Sequence, residues 1–174
     1  MEGPQVSTDH PAFLASEEGI KEQLDHFLRI KGTLSADHFH KALGKLLYDK
    51  CGLARNKQGL EEAIAGIRQL REQFYRELRI TGDQHVNTEL EKAGRVADYL
   101  ELGELMCYDA LSREESCGAH FREEHQTADG EAVRNDQDFC YVSAWEWKGS
   151  GGEPVLHKEP LLFENVELSV RSYK

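Results

Sequence analysis

Asn56-Lys57-Gln58-Gly59-Leu60-Glu61-Glu62-Ala63-Ile64-Ala65-Gly66-Ile67-Arg68-Gln69-Leu70-Arg71-Glu72-Gln73-Phe74-Tyr75-Arg76-Glu77-Leu78 is the stretch that decides the fold class. Leu60, Ile64, Ile67, Leu70, Phe74 and Leu78 recur at steps of three and four, so they share one face of an α-helix. Asn56 is a good opening cap, and Thr81-Gly82-Asp83 breaks the pattern. An amphipathic helix owes most of its stability to whatever covers its apolar face. Other helices must therefore lie beside it.

The flanking sequence supplies them. A helical pattern runs from about Pro11 to Lys31, with Asp9 placed to cap it and Gly32 to end it. Ile20, Leu24, Phe27, Leu28 and Ile30 form its apolar face. Ser35 caps a second helix carrying Phe39, Leu43, Leu46 and Leu47, and Cys51-Gly52 closes it. A fourth pattern spans about Asn87 to Ser116 with Leu90, Val96, Leu100, Leu105 and Leu111. Gly94 and Gly103 inside it each cost roughly 1 kcal/mol of helix propensity relative to alanine. Close approach by another helix would account for both.

Composition changes after Gly118. Phe139-Cys140-Tyr141-Val142-Ser143-Ala144-Trp145-Glu146-Trp147 is rich in strand formers, Gly149-Ser150-Gly151-Gly152 is a turn, and Pro154 to His157 reads as a return strand. Phe163 to Leu168 alternates apolar with polar, as a further extended piece would. The expected architecture is mainly α: a bundle of three or four helices, then an extended C-terminal arm with a β-hairpin. Residues 1–9 read as a linker, 10–117 as the bundle and 118–174 as the arm. The arm has too few apolar residues for its own core, so it must lie along the bundle or along a partner. Trp145 or Trp147 is expected to be partly exposed.

The chain has 174 residues and a formal net charge of −11. That argues against nucleic acid and against an anionic membrane surface, both of which call for clustered Lys and Arg. No apolar run is long enough to insert in a membrane. Cys51, Cys107, Cys117 and Cys140 form no Cys-x-x-Cys pair and read as free thiols. His120 and His125 are five apart, one too many for two metal ligands on adjacent helical turns, and no third ligand is visible. His38 and His40 point to different faces of a helix, one expected in solvent and one packed. There is no Gly-x-Gly-x-x-Gly and no strand–helix alternation, so the chain should bind neither flavin nor nicotinamide unaided. Catalytic, cofactor and metal residues are thus expected to be absent.

Ser112-Arg113-Glu114-Glu115-Ser116-Cys117-Gly118-Ala119-His120-Phe121-Arg122 carries the richest chemistry. Gly118 is expected in a backbone conformation that other residues resist. Arg113, Glu114, Glu115 and Arg122 suffice for a local ion-pair network. Arg113, Glu115, His120 and Arg122 are also the candidates for docking on a partner domain.

This segment resembles the Arg-x-Glu-Ser-Arg-Gly-Ala-His motif of the flavoprotein subunit of succinate dehydrogenase and fumarate reductase. The resemblance starts at about His10 and is carried further by Asp37-His38-Phe39-His40-Lys41, by Gly44 to Asn56, by Glu91 to Asp98, by Leu102 to Cys107 and by Leu168 to Lys174. Cys117 stands where many members have arginine. With the long Phe139–Lys158 hairpin, this looks like the Bacteroides-type branch. A thiol cannot replace a bidentate guanidinium, so any contact made by this motif rests on Arg113, His120 and Arg122.

The resemblance implies a C-terminal helical domain of spectrin-repeat type, part of a longer subunit. That subunit would hold FAD in an upstream domain and interconvert succinate and fumarate by hydride transfer. Electrons would pass through an iron–sulfur subunit to a membrane cytochrome b subunit, in a peripheral complex on the cytoplasmic side of the bacterial inner membrane. The flavin- and dicarboxylate-binding residues of the family map to no position here, so the domain is expected to be inactive alone. The other reading of the same residues is an autonomous helical protein-interaction module.

Overall fold

The computed structural model describes residues 6–83 and 85–169. The Arg-Ser-Tyr ending at 171–173 lies outside the described residues. Helix α1 spans Pro11–Arg29, α2 Ala36–Cys51, α3 Lys57–Glu77, α4 Thr88–Ser112 and the single turn α5 Asp136–Phe139; strands β1 (Tyr141–Glu146) and β2 (Val155–Pro160) follow. Helices α2, α3 and α4 pack on one another, with the C-terminal part of α1 against α4. The mainly α class, the helical bundle and the arm with its hairpin all stand as expected.

Three helix starts follow from their caps. Ser35 Oγ accepts from His38 N, Asn56 Oδ1 from Gly59 N, and Asn87 Oδ1 from both Glu89 N and Leu90 N. The first helix differs: His10, not Asp9, is its cap, its Nδ1 accepting from Ala12 N at 3.2 Å. That helix also ends at Arg29, because Ile30 turns extended and the next residues run toward the end of α3. Gly32 N donates to Leu78 O, and Leu34 and Leu78 form a parallel bridge. A Cβ on Gly32 would stand 2.0 Å from the Glu77 carbonyl. Gly32 is there for this close approach.

The core is an aromatic and aliphatic cluster shared by all four long helices. Phe74 of α3 meets Phe27 of α1 edge-on at 5.8 Å and Phe39 of α2 at 5.2 Å, and all three rings are fully buried. Leu60, Ile64, Ile67 and Leu78 are buried as the periodicity requires, and Leu70 is half-buried. Gly103 lets Leu47 approach to 3.2 Å from where its Cβ would be, as expected; nothing stands near Gly94, so close packing does not explain that residue. Ile20 is exposed, not part of the apolar face.

Helix α4 stops at Ser112, four residues short of the expected end, because Arg113 turns extended and Ser116 N is drawn to Val133 O. The β1–β2 register pairs Tyr141 with Pro160 and Glu146 with Val155. Phe139 closes the turn α5 instead of opening the strand, and residues 163–168 form no strand. His38 and His40 are both exposed, His40 stacking on Tyr99, so neither is packed inside.

Phe74→Ala removes the ring that joins three helices and should cost about 3–5 kcal/mol of unfolding free energy. Urea titration of the variant checks this, and Phe74→Leu should cost markedly less.

Candidate functional site

The 113–124 segment folds back over the end of α4. Arg122 is 2% exposed. Its guanidinium donates to the carbonyls of Ala110 (2.9 Å), Leu111 (3.2 Å) and Arg113 (3.5 Å), and its Nε to Glu124. The final carbonyls of a helix lack partners and carry partial negative charge. A buried cation there satisfies both demands. Ser116 Oγ accepts from Arg122 N and donates to Arg122 O, locking the return. Gly118 sits at φ 59°, the left-handed conformation expected of it.

The other members of the cluster converge on the same end. Arg113 pairs with the buried Glu115 at 2.8 Å and donates to the carbonyls of Phe139 and Tyr141; its guanidinium lies over the Tyr141 ring at 5.1 Å. The second Glu115 oxygen accepts from Asn135 N. His120 Nε2 lies 2.9 Å from Arg113 O, which makes it the protonated nitrogen. Burial holds the His120 pKa below its ordinary value, and the charges of Arg55, Arg122 and Arg113 push the same way. Arg113, Glu115, His120 and Arg122 are therefore brought together, facing one another and the backbone. Glu114 is exposed.

This knot also reaches across the bundle. Arg55 N donates to Phe121 O and Glu123 N to Arg55 O, a parallel bridge to the loop between α2 and α3. Asn56 Nδ2 donates to Glu123, and the Glu124 carboxylate accepts from Lys57 N at the start of α3, where negative charge is favoured.

A second cluster holds the hairpin. Glu104 of α4 is 2% exposed and paired with Arg71 and, at 2.8 Å, with Arg68. Arg71 Nη1 reaches Ser150 Oγ at 3.3 Å and its guanidinium faces the Trp147 ring; Tyr108 Oη donates to Glu153. Trp145 Nε1 donates to Asp109 Oδ1 at 2.8 Å. Both tryptophans are half-buried. Sequence reading missed this cluster. Its only signal was the i, i+3 spacing of Arg68 and Arg71 and the i, i+4 spacing of Glu104 and Tyr108.

Among the described residues, no group of three or more His, Cys, Asp or Glu side chains is placed to hold a metal ion. No described helix is long and apolar enough to cross a membrane.

The sequence model described as "Fumarate reductase flavoprotein C-term" matches residues 40–173. The chain belongs to this family. The fumarate reductase flavoprotein subunit of Helicobacter pylori strain 26695 is 33% identical over 159 residues, covering 88% of this chain and 21% of the relative. An uncharacterized FAD-dependent oxidoreductase of Methanocaldococcus jannaschii is 27% identical over 155 residues, covering 89% of this chain and 24% of the relative. A solved structure of the Escherichia coli quinol fumarate reductase, carrying an E245Q mutation, superposes with a TM-score of 0.78 over 93% of this chain and 27% of that one, at 23% identity. The chain thus spans about a quarter of the length of the proteins it resembles. It is the C-terminal helical domain of this flavoprotein family, with the fold that the superposition shows.

Three variants test the knot. Arg122→Met strands three helix-end carbonyls and should destabilise the domain by about 3 kcal/mol or more in chemical denaturation. Arg122→Lys should rescue little, because one ammonium cannot reproduce the fork. For His120 the folded pKa lies below the unfolded one, so the unfolded chain binds more protons. Its contribution is fully present above the ordinary value of about 6.5 and is lost as pH falls through the lower folded value. His120→Gln should flatten the decline in Tm between about pH 7 and pH 5.

Proposed function

We propose that this domain completes an FAD-dependent flavoprotein subunit that interconverts succinate and fumarate, serving as its docking and bracing element. In this reading the flavin and the dicarboxylate are bound by an upstream domain of the same subunit. The helical domain alone carries no activity and no cofactor. The relatives' names support the reaction class. An iron–sulfur subunit and a membrane cytochrome b subunit are the further partners that the family resemblance implies, and the quinol fumarate reductase named for the superposed structure accords with a quinone-linked complex. A peripheral place on the cytoplasmic side of the inner membrane goes with those partners.

One observation carries the docking role. Helix α1 has 19 residues, yet Phe27 is its one buried residue, while Phe13, Leu14 and Ile20 are 55%, 54% and 56% exposed. Such a helix has little to hold it by itself. Apolar side chains left open along it suit burial against another domain. Leu102 and Met106 on α4 add exposed apolar surface next to α2. Arg113, Glu115, His120 and Arg122 would act in docking as the frame that fixes the shape of this end of the bundle, and Trp145 and Trp147 would be covered further in the full subunit. An autonomous interaction module would leave no such face open.

The test is reconstitution. The separately expressed upstream flavoprotein portion is assayed for flavin retention and fumarate reduction with and without this chain. Co-elution with increased flavin retention and activity is the expected result. Phe13→Ser/Leu14→Ser, placed on exposed positions, should weaken co-elution without lowering the Tm of the domain. No co-elution of the wild-type chain would overturn the reading.

A further inference from the structure

Cys51 and Cys107 take no part in either ionic cluster or in the docking role. Cys51 is the last residue of α2, and Cys107 lies in the C-terminal half of α4. Both are free thiols, 8% and 0% exposed, and each stands one turn beyond Leu47 and Gly103, where α2 and α4 run side by side in contact, so the two face each other on the next turn of that seam. The pair is asymmetric. Cys51, next to the glycine that ends its helix, keeps 8% of its surface exposed, and Cys107 keeps none.

We propose that Cys51 and Cys107 form a redox-active dithiol, which a low-molecular-weight disulfide converts to a reversible α2–α4 cross-link. This goes beyond the docking role and does not depend on it. Cys51 as thiolate attacks one sulfur of the oxidant, forming a mixed disulfide and expelling one thiolate. Cys107 then gives up its proton and attacks Cys51 Sγ, expelling the second thiolate. Two cysteine sulfurs are oxidised, one disulfide is reduced to two thiols, and the two protons released go to those thiols.

The surroundings fit this division of labour. The Cys107 thiol donates to Cys51, which together with the Arg55 guanidinium lowers the Cys51 pKa to about 7, against burial and the Asp109 carboxylate. Cys107 is held upward by its bond to Cys51 and by burial, with Glu104 acting in the same direction and Arg55 against it. Cys51, the less buried of the two, is thus the nucleophile at neutral pH and Cys107 is the resolving thiol.

The chain as it stands is treated with glutathione disulfide, acid-quenched, alkylated with iodoacetamide and digested with trypsin. The expected product is peptide 51–55 linked to peptide 96–113, lighter by two hydrogens than the sum of the two and lost on reduction. It should form at least tenfold faster in the folded chain than in urea, with a rate that rises through about pH 7. In Cys107→Ala, Cys51 should instead accumulate as the glutathione adduct. If that variant does not fold, the wild-type digest decides alone. Recovery of Cys51 as the alkylated or glutathione-bound peptide without the link overturns the proposal, as does equal cross-linking in folded and unfolded chain.

Discussion

The buried guanidinium of Arg122 is the constraint on which the rest of this fold depends. A 25-residue helix ends with carbonyls that need partners, and here one side chain from ten residues beyond supplies them. Because the charge is out of water, its geometry cannot drift: any shift would leave a cation or several carbonyls unpaired at a cost of several kcal/mol. The chain after α4 must therefore turn back at once. That turn delivers Phe121 and Glu123 to Arg55 and delivers Asn135 to Glu115. The short turn α5 and the hairpin then start from a fixed point.

The hairpin shows how little apolar area is needed once such a point exists. Strands β1 and β2 have only Tyr141 buried between them. The ribbon is held instead by polar anchors along α3 and α4: Arg113 to the Tyr141 carbonyl, Trp145 to Asp109, and Arg71, bound to Glu104, to Ser150 at the turn. A two-stranded ribbon is marginal in water by itself. Here it borrows its order from a helix pair whose own ion pair is buried.

Much of this was legible in the sequence because it is local. Ser35, Asn56 and the Leu60-to-Leu78 periodicity are statements about neighbours one turn apart, and the structure has them where the pattern puts them. The family resemblance, carried by the 112–122 motif, holds as well. What failed is long-range. Nothing near Asp9 says that His10 will take the cap, and nothing near Ser112 says that Val133 will pull Ser116 out of the helix. The Arg68–Glu104–Arg71 cluster joins residues more than thirty positions apart, so spacing along one helix could only hint at it. Ile20 fits an apolar stripe by period, yet the bundle does not reach that far along α1.

Two parallel bridges clasp the bundle at opposite ends. Leu34 meets Leu78 at one end of the bundle, and Arg55 meets Arg122 at the other. The first ties a connecting segment to the C-cap of α3, and the second ties one to the segment whose Arg122 side chain closes α4. Helix ends ordinarily fray, one turn at a time, at almost no cost. With both ends clasped, α2 and α3 have no free terminus from which opening can creep inward, and α4 is fastened at its exit. The three helices are bound into one opening unit, while the first half of α1, outside both clasps, is left as a separate and much softer one.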